Sequence, residues 1–126
     1  MEIAVIGAGA IGSTLAGLLA RSGEKVWLIG RPDQVDAVRT EGLRVDGALG
    51  AFTVAMQADM ALSHRPDLAL LAVKTQNVLQ AVHDNLSYLS GVPIVTMQNG
   101  VKSDELVASL VPGEQIVGAV VFISAV

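Results

Sequence analysis

Six small or apolar residues near the N-terminus are spaced as in loops that bind an anion. They fit the pattern GxGxxG and are Gly7, Ala8, Gly9, Ala10, Ile11 and Gly12. In this pattern the first glycine permits a tight turn, the second lets backbone approach a pyrophosphate, and the third brings a helix against a strand. Unpaired amides and the positive dipole end at the start of the following helix favour an anion. We therefore predict that these residues bind the pyrophosphate of a dinucleotide, the alternative being a turn with packing duties only.

A charged residue after the second apolar run predicts which dinucleotide binds. In such sites an acid about 20 residues beyond the glycines bonds a ribose hydroxyl, whereas an arginine accommodates a 2′-phosphate. This chain has Gly30-Arg31 there, and a guanidinium offers paired donors that match phosphate oxygens. The sequence therefore predicts NADP. Two alternatives stay open, a solvated arginine before Pro32 and Asp33 as a ligand of the ribose hydroxyl.

Two further polar sites follow apolar runs later in the chain. Lys74 comes directly after Leu68–Val73, and Asn99 lies shortly after Pro93–Met97. Because ligands of open α/β sheets lie outside the carboxyl ends of the strands, we expect both side chains to line the ligand cleft. The alternatives are a solvated lysine at a helix start and, for Asn99-Gly100, a turn dipeptide with positive φ.

The elements that must position these residues follow from the alternation of short apolar runs with longer helical stretches. This alternation is typical of βαβ units and predicts an α/β fold of the Rossmann type, with a doubly wound, mostly parallel sheet. The predicted strands are Ile3–Ile6, Val26–Ile29, Leu68–Val73 and Pro93–Met97, and the stretch Gln115–Val126 is again strand-like. The predicted helices cover about 10–21, 32–40, 76–89 and 103–110. A hairpin is predicted from Leu43–Val45 and Ala51–Met56.

Helical spacing also predicts which side chains face inward. In the second helix they are Val35 and Val38, with Asp33, Asp36 and Arg39 on the exposed face. In the third helix, which Thr75 is expected to cap, they are Val78, Leu79, Val82 and Leu86.

Composition limits the remaining function classes. A chain of 126 residues predicts one domain over 1–126, and a net charge of -4 without a basic run argues against nucleic acid as a partner. The absence of cysteine excludes disulfides and fits a reducing compartment, so we expect a cytoplasmic protein. Glycines interrupt the uncharged stretch 3–20, which argues against a membrane span. His64 and His83 have no ligand-spaced partner, so no metal site is expected.

Taken together, these motifs resemble the ketopantoate reductases, also called 2-dehydropantoate 2-reductases, which reduce a 2-keto acid with NADPH. The resemblance covers the whole chain and is carried by GAGAIG, Arg31, the lysine of VKT, the asparagine of QNG and the SDEL segment. It implies that Lys74 and Asn99 contact cofactor and substrate as catalytic residues. It also implies that Ala125 lies where family backbone contacts the nicotinamide half. The chain departs from many relatives at Val120-Val121-Phe122, where they carry threonines and a histidine.

The implied reaction needs a cation for the carboxylate of the small-molecule 2-keto acid and a proton donor for its carbonyl oxygen. Lys74 could supply the charge. Family members carry a second, helical domain with the catalytic lysine, so the resemblance implies that this chain is truncated before it. We then expect NADPH binding, very poor reduction by the chain alone, and an apolar face that drives self-association or strand exchange. A different dehydrogenase, acting on hydroxy acids or phosphorylated polyols, and a non-catalytic dinucleotide sensor are the alternatives.

Overall fold

The structure is a computed structural model that describes residues 1–47, 50–96 and 116–118. The strands are β1 (Glu2–Ile6), β2 (Lys25–Ile29), β3 (Leu43–Gly47), β4 (Gly50–Val54), β5 (Gln57–Asp59), β6 (Leu68–Leu71), β7 (Ile94–Thr96) and β8 (Ile116–Gly118). The helices are α1 (Ala10–Arg21), α2 (Pro32–Glu41) and α3 (Val78–Asn85), with 3-10 helices at Thr75–Asn77 and Leu86–Tyr88. The predicted helix over 103–110 lies outside the described residues.

Six strands form one sheet in the order β5-β2-β1-β6-β7-β8, and every neighbouring pair is parallel. This is the strand order of the classical dinucleotide-binding sheet. The order in which strands are added reverses between β1 and β6, since β2 and β5 lie on one side of β1 and β6 to β8 lie on the other. The predicted fold class is therefore confirmed. A crevice at the carboxyl ends of β1 and β6 is the expected ligand site.

Both faces of the sheet are buried, which explains the nearly continuous apolar runs of its strands. Ile3 and Val5 point into one core, and Ala4 and Ile6 point into the other. The first core is closed by α1, α2 and the antiparallel hairpin of β3 and β4. The second core is closed by α3 and the segments around it. The sheet is thus doubly wound, as predicted.

The first two helices have the predicted bounds to within a residue. Pro32 is the first residue of α2, Val35 and Val38 are buried, and Gly42 follows the helix with a φ of +82°. This φ favours glycine, and a Cβ there would lie 3.1 Å from the Val54 carbonyl oxygen. Glycine therefore ends α2 where the chain turns sharply into the hairpin. No helix within the described ranges is long and apolar enough to cross a membrane.

The region predicted as one helix over about 76–89 is divided into three helical pieces. The α-helix begins at Val78 with Asn77 as its N-cap residue, so Thr75 is not its cap. Leu79, predicted to face inward, is 42% exposed, whereas Asn85 is buried. The buried face of α3 passes through Val78, Val82 and Asn85, and this spacing leaves Leu79 on the outside. The Asn85 side chain is satisfied, because it donates to Ala81 O (2.7 Å) and accepts from Leu62 N (2.7 Å).

The hairpin is confirmed, but its strands extend further towards the turn than predicted, since Gly47 pairs with Gly50. Its second strand ends at Val54 instead of Met56. Strand β5 was not predicted. It has three residues, two of them polar, and it joins the sheet through parallel pairing with β2. A strand this short, without an apolar run, cannot be predicted from sequence and is identified only by its pairing with β2.

Candidate dinucleotide site

An open cleft of about 660 Å³ lies at the carboxyl ends of β1, β2 and β6. Three loops line it: the turn after β1, the turn after β2 and the segment after β6. The rest of the wall is formed by α3, Gln34 of α2 and Met60 after β5. The volume falls within the roughly 300 to 1,000 Å³ of ordinary ligand sites. The cleft therefore occupies the crevice that the strand order predicts.

The turn after β1, residues 7–12, is built directly on the sheet. Gly7 N donates to Ile29 O (2.8 Å), and Ala72 N donates to Ile6 O (2.8 Å). Gly7 has a φ of +117°, and a Cβ there would lie 2.7 Å from the Ala72 carbonyl carbon. A Cβ on Gly12 would lie 1.9 Å from Gly7 O. Packing alone therefore requires glycine at both of these positions.

Gly9 differs from the other two glycines of the motif. Its φ is -75°, and no heavy atom lies within 4 Å of the position that a Cβ would occupy. Neither backbone strain nor contact with the protein requires glycine there. Gly9 is exposed and lines the cleft, so the free space beside it is open to a ligand. The packing-only alternative explains Gly7 and Gly12 but leaves Gly9 without a role.

The start of α1 offers backbone donors to the same space. Ser13 N donates to Gly9 O (2.9 Å), which is the first hydrogen bond of the helix. The amides of Ala10, Ile11 and Gly12 precede that bond and have no partner within the helix. The first turn contains no acidic residue that could compete for them. The side chain of Ser13 turns back, donating from Oγ to Ala8 O (3.0 Å), and so supports the turn.

The turn after β2 places Arg31 on the cleft wall. The Arg31 side chain is 75% exposed, and its Nε lies 3.8 Å from Asp33 Oδ1. Exposed pairs of this kind contribute about 0 to 1 kcal/mol, so this contact holds the guanidinium only weakly. Asp33, the competing candidate for the ribose, is itself the partner of the arginine. Arg31 is therefore free to turn towards an anion in the cleft.

Gly30 and Gln34 bring the turn after β2 against the turn after β1. A Cβ on Gly30 would lie 2.8 Å from Ala8 Cβ and 2.9 Å from Gln34 Oε1. Sequence reasoning missed Gln34, whose Nε2 donates to Ala8 O (3.2 Å) and whose Oε1 accepts from Arg31 N (3.0 Å). The available signal was a glutamine three residues after the residue that precedes a helix, as in a capping box.

Asp59, at the end of β5, supports the turn after β2 from the neighbouring strand. Its carbonyl accepts from Gly30 N (3.1 Å), and its carboxylate accepts from Trp27 Nε1 (2.6 Å) and from Arg39. Burial raises the pKa of Asp59, but hydrogen bonds from Trp27, Gln57 and Arg39, with the Arg39 charge, outweigh it and lower the pKa below 3.8. The carboxylate is therefore ionised at neutral pH. Arg39, predicted on the exposed face of α2, serves as its ion partner.

Lys74 lies where the sequence places it, on the segment after β6 and in the cleft wall. Its side chain is exposed and forms no ion pair with any residue in the described ranges. Its carbonyl accepts from Asn77 N (2.8 Å) at the start of the 3-10 helix. Lys74 and Arg31 thus place two positive charges on one cleft. Asn99 and Ala125 lie outside the described residues, so their place in the site stays a prediction.

Residues 1–47, 50–96 and 116–118 contain no group of three or more His, Asp or Glu side chains that could hold a metal ion. The described cleft offers backbone amides, amide side chains and the two cations Arg31 and Lys74, and one carboxylate, Asp84, lies in its α3 wall. This donor set suits an extended anionic molecule with a phosphate group at each of two places.

Comparisons with known proteins agree with this geometry. A model of the ketopantoate reductase PanE/ApbA family matches residues 3–126. The 2-dehydropantoate 2-reductase of Pyrococcus abyssi (strain GE5 / Orsay) is 36% identical over 106 residues, which are 83% of this chain and 35% of that protein. This chain thus spans about a third of that relative's length.

Two solved structures have the same fold. The PanE/ApbA family ketopantoate reductase from Ralstonia eutropha JMP134 superposes with a TM-score of 0.85 at 32% identity, over 95% of this chain and 40% of that one. D-mandelate dehydrogenase, solved with NADH and anilino(oxo)acetate, superposes with a TM-score of 0.85 at 25% identity, over 94% of this chain and 40% of that one. The family match covers nearly the whole sequence, and the chain belongs to the ketopantoate reductase PanE/ApbA family of oxidoreductases.

Proposed function

We propose that this chain binds NADPH in the cleft and is the cofactor-binding part of a reductase that converts a short 2-keto acid, 2-dehydropantoate, to its 2-hydroxy acid. The observation that carries the proposal is Gly9. It stands between two glycines that packing requires, yet it faces open space beside the free amides of α1. An approaching pyrophosphate gives this glycine a function.

Each described part of the cleft has a role in this proposal. The amides of residues 10–12 hold the pyrophosphate, and Arg31 holds the 2′-phosphate of the adenosine half. Lys74 attracts the carboxylate of the keto acid. Asn99, which lies outside the described residues, is proposed to position the substrate beside the nicotinamide. The cofactor, when bound, supplies the hydride. The protein orients the acceptor and stabilises the charge that develops on its oxygen.

The choice of NADPH over NADH depends on the turn after β2. An acid at the end of this strand would accept a hydrogen bond from a ribose hydroxyl, but the chain has Gly30-Arg31 instead. Asp33 is 77% exposed and faces Arg31, so it is poorly placed to act alone as a ribose ligand. The exposed guanidinium supports the phosphorylated cofactor.

The test is a titration of the chain with NADPH and with NADH, followed by fluorescence or calorimetry, for the wild type and Arg31→Ala. Charge-assisted hydrogen bonds contribute about 1.5 to 3 kcal/mol, so we expect Arg31→Ala to weaken NADPH binding about ten- to a hundredfold. NADH, which lacks the 2′-phosphate, should change by less than about twofold. Equal losses for both cofactors would contradict the assignment of Arg31, and no saturable binding by the wild type would contradict the site itself.

Arg44→Ala is a matched control for the loss of an exposed positive charge. Arg44 is 72% exposed and pairs with the aspartate two positions later, as Arg31 does. It lines a smaller cavity of about 340 Å³ beside the turn after β1, away from the turn after β2. Any effect of this substitution should therefore be the same for NADPH and NADH.

A second candidate is a dehydrogenase of a larger 2-hydroxy acid that uses NADH. The fold match to D-mandelate dehydrogenase, whose structure contains NADH, favours keeping it. It requires that Arg31 makes no difference between the two cofactors. The same titration therefore separates the two candidates.

A further inference from the structure

Gln34 joins the two turns that form the adenosine end of the cleft. Its side-chain amide spans from the turn after β2, at Arg31 N, to the turn after β1, at Ala8 O, which is 26 residues away in sequence. The side chain is half-buried and lines the cleft. It is therefore part of the wall that a cofactor would contact.

A glutamine amide satisfies both partners, because it carries a donor and an acceptor at the same end of the side chain. A backbone N–H can only donate and a backbone carbonyl can only accept, so Oε1 must face Arg31 and Nε2 must face Ala8. A glutamate at this position would keep the bond from Arg31 N. It would also set a carboxylate oxygen against the Ala8 carbonyl oxygen, with no proton between them at neutral pH.

The contact with Gln34 holds the backbone of Arg31 and not its side chain. The Arg31 guanidinium is exposed and only weakly paired, so its starting point is set by the backbone. Val35 N donates to Arg31 O (2.9 Å) within α2, and Gly30 N donates to Asp59 O (3.1 Å) of β5. Gln34 adds the hydrogen bonds that join this backbone to the turn after β1. Gly30, the residue before it, packs against Ala8 and Gln34 at distances that leave no room for a side chain. Gln34 thus connects the backbone from which the arginine extends to the turn after β1.

We propose that Gln34 is a positioning residue that sets the preference for NADPH over NADH, by fixing the backbone of Arg31 against the turn that holds the pyrophosphate. The inference rests on the proposed function, in which Arg31 binds the 2′-phosphate. Gln34 itself need not contact the phosphate, because it acts through the arginine.

Binding of NADPH and NADH to Gln34→Ala and Gln34→Glu tests this role. Loss of two neutral hydrogen bonds should weaken NADPH binding by Gln34→Ala about tenfold and NADH binding by less than about threefold. Gln34→Glu should weaken NADPH binding further, since it adds a negative charge near the 2′-phosphate. Thr40→Ala, an exposed substitution on the same helix, should leave both affinities unchanged.

A double-mutant cycle with Arg31→Ala gives the decisive readout. If Gln34 acts through Arg31, Gln34→Ala will not alter the ratio of the two affinities once Arg31 has been replaced. Thermal melts of the same variants show whether they fold. If Gln34→Ala does not fold, Gln34→Met, which keeps the length of the side chain and adds no charge, replaces it in the cycle. Unequal effects that vanish in the Arg31→Ala background support the inference. Equal effects on both cofactors overturn the inference, and so does a shift in the affinity ratio that persists when Arg31 has been replaced. Either result leaves the proposed binding of NADPH by the wild type untouched. A wild type that binds neither cofactor overturns the proposed function first.

Discussion

The parallel strands have two ends, which form an amino-terminal and a carboxyl edge of the sheet, and the polar groups at these two edges differ in how they are paired. At the amino-terminal edge the groups bond to one another. Glu2 N donates to Asp67 Oδ2 (2.6 Å), Asp67 N donates to Glu2 O (2.9 Å), and Glu2 Oε1 lies 2.6 Å from His64 Nε2. Lys25 Nζ lies 3.6 Å from Glu2 Oε2, which is an ion-pair distance, and this buried oxygen is the one atom of the group without a hydrogen bond in the described residues. At the carboxyl edge, Lys74 is exposed without an ion partner in the described ranges, and Arg31 has only a distant one.

This difference separates stability from binding within one sheet. Polar groups that are satisfied by each other stabilise the fold and have nothing left to offer a ligand. Charges and amides without partners contribute little to stability, but they can exchange water for an anion at low cost. The amino-terminal edge also covers the core, since His64 stacks on the fully buried Trp27 with ring centroids 4.2 Å apart. Substitutions at the two edges should therefore affect different measurements.

The largest effect is expected inside the turn after β1, residues 7–12, which packs on the sheet and, in the proposed function, also binds the cofactor. Gly12→Ala places a Cβ 1.9 Å from Gly7 O, and the backbone cannot move away without breaking the contact between α1 and the sheet. We expect a loss of about 3 kcal/mol or more in the free energy of unfolding, measured by urea denaturation. NADPH binding should be lost with it.

Gly9→Ala is the matched substitution in the same turn. Because a Cβ there meets no protein atom, we expect a loss of stability below about 1 kcal/mol. NADPH binding should nevertheless weaken about tenfold, since the methyl group occupies the space that the pyrophosphate needs. The claim is that packing requires Gly12 whereas ligand binding requires Gly9. Normal NADPH affinity in Gly9→Ala, or a similar loss of stability in both variants, would contradict it.

A smaller effect with the reverse pattern is expected at the amino-terminal edge. Glu2→Gln removes the charge that faces both His64 and Lys25, and the side chain is only 12% exposed. We expect a loss of about 1 kcal/mol in unfolding free energy and no change in NADPH affinity. Glu24→Gln, at an exposed position nearby, is the control and should alter neither quantity. Weaker NADPH binding by Glu2→Gln would mean that the two edges are coupled.

Sequence reasoning located the carboxyl edge well because its signals are local. The turn after β1 is one continuous motif, and Arg31 and Lys74 each follow an apolar strand within a few residues. Once a parallel sheet is inferred, strand ends must meet at one edge, so residues far apart in sequence can be assigned to one cleft.

The missed features all depend on contacts between distant segments. Gln34 is defined by its bond to Ala8, and Asn85 is buried because it can satisfy Leu62 N, 23 residues earlier. Helical spacing predicts an inward Leu79 because the method considers only apolar residues. It cannot show that the polar Asn85 is buried with a hydrogen-bond partner. Strand β5 has no apolar run, and Asp59 at its end is held by Trp27 and Arg39. Such pairings become visible only when the fold brings the segments together.

The smallest effect is expected from Asp59, a stabilising group beneath the carboxyl edge. Its pKa is lower in the folded chain than the unfolded value of 3.8, so the unfolded chain binds more protons in the acid range. The stabilisation is therefore present above the unfolded pKa and is lost as the pH falls through the folded pKa. Urea unfolding from about pH 7 to about pH 3, followed by the fluorescence of Trp27, should show a steeper acid loss for the wild type than for Asp59→Asn. The other carboxylates titrate in both proteins and cancel in the difference. Parallel curves would mean that the contacts of Asp59 with Trp27 and Arg39 do not stabilise the turn that carries Arg31.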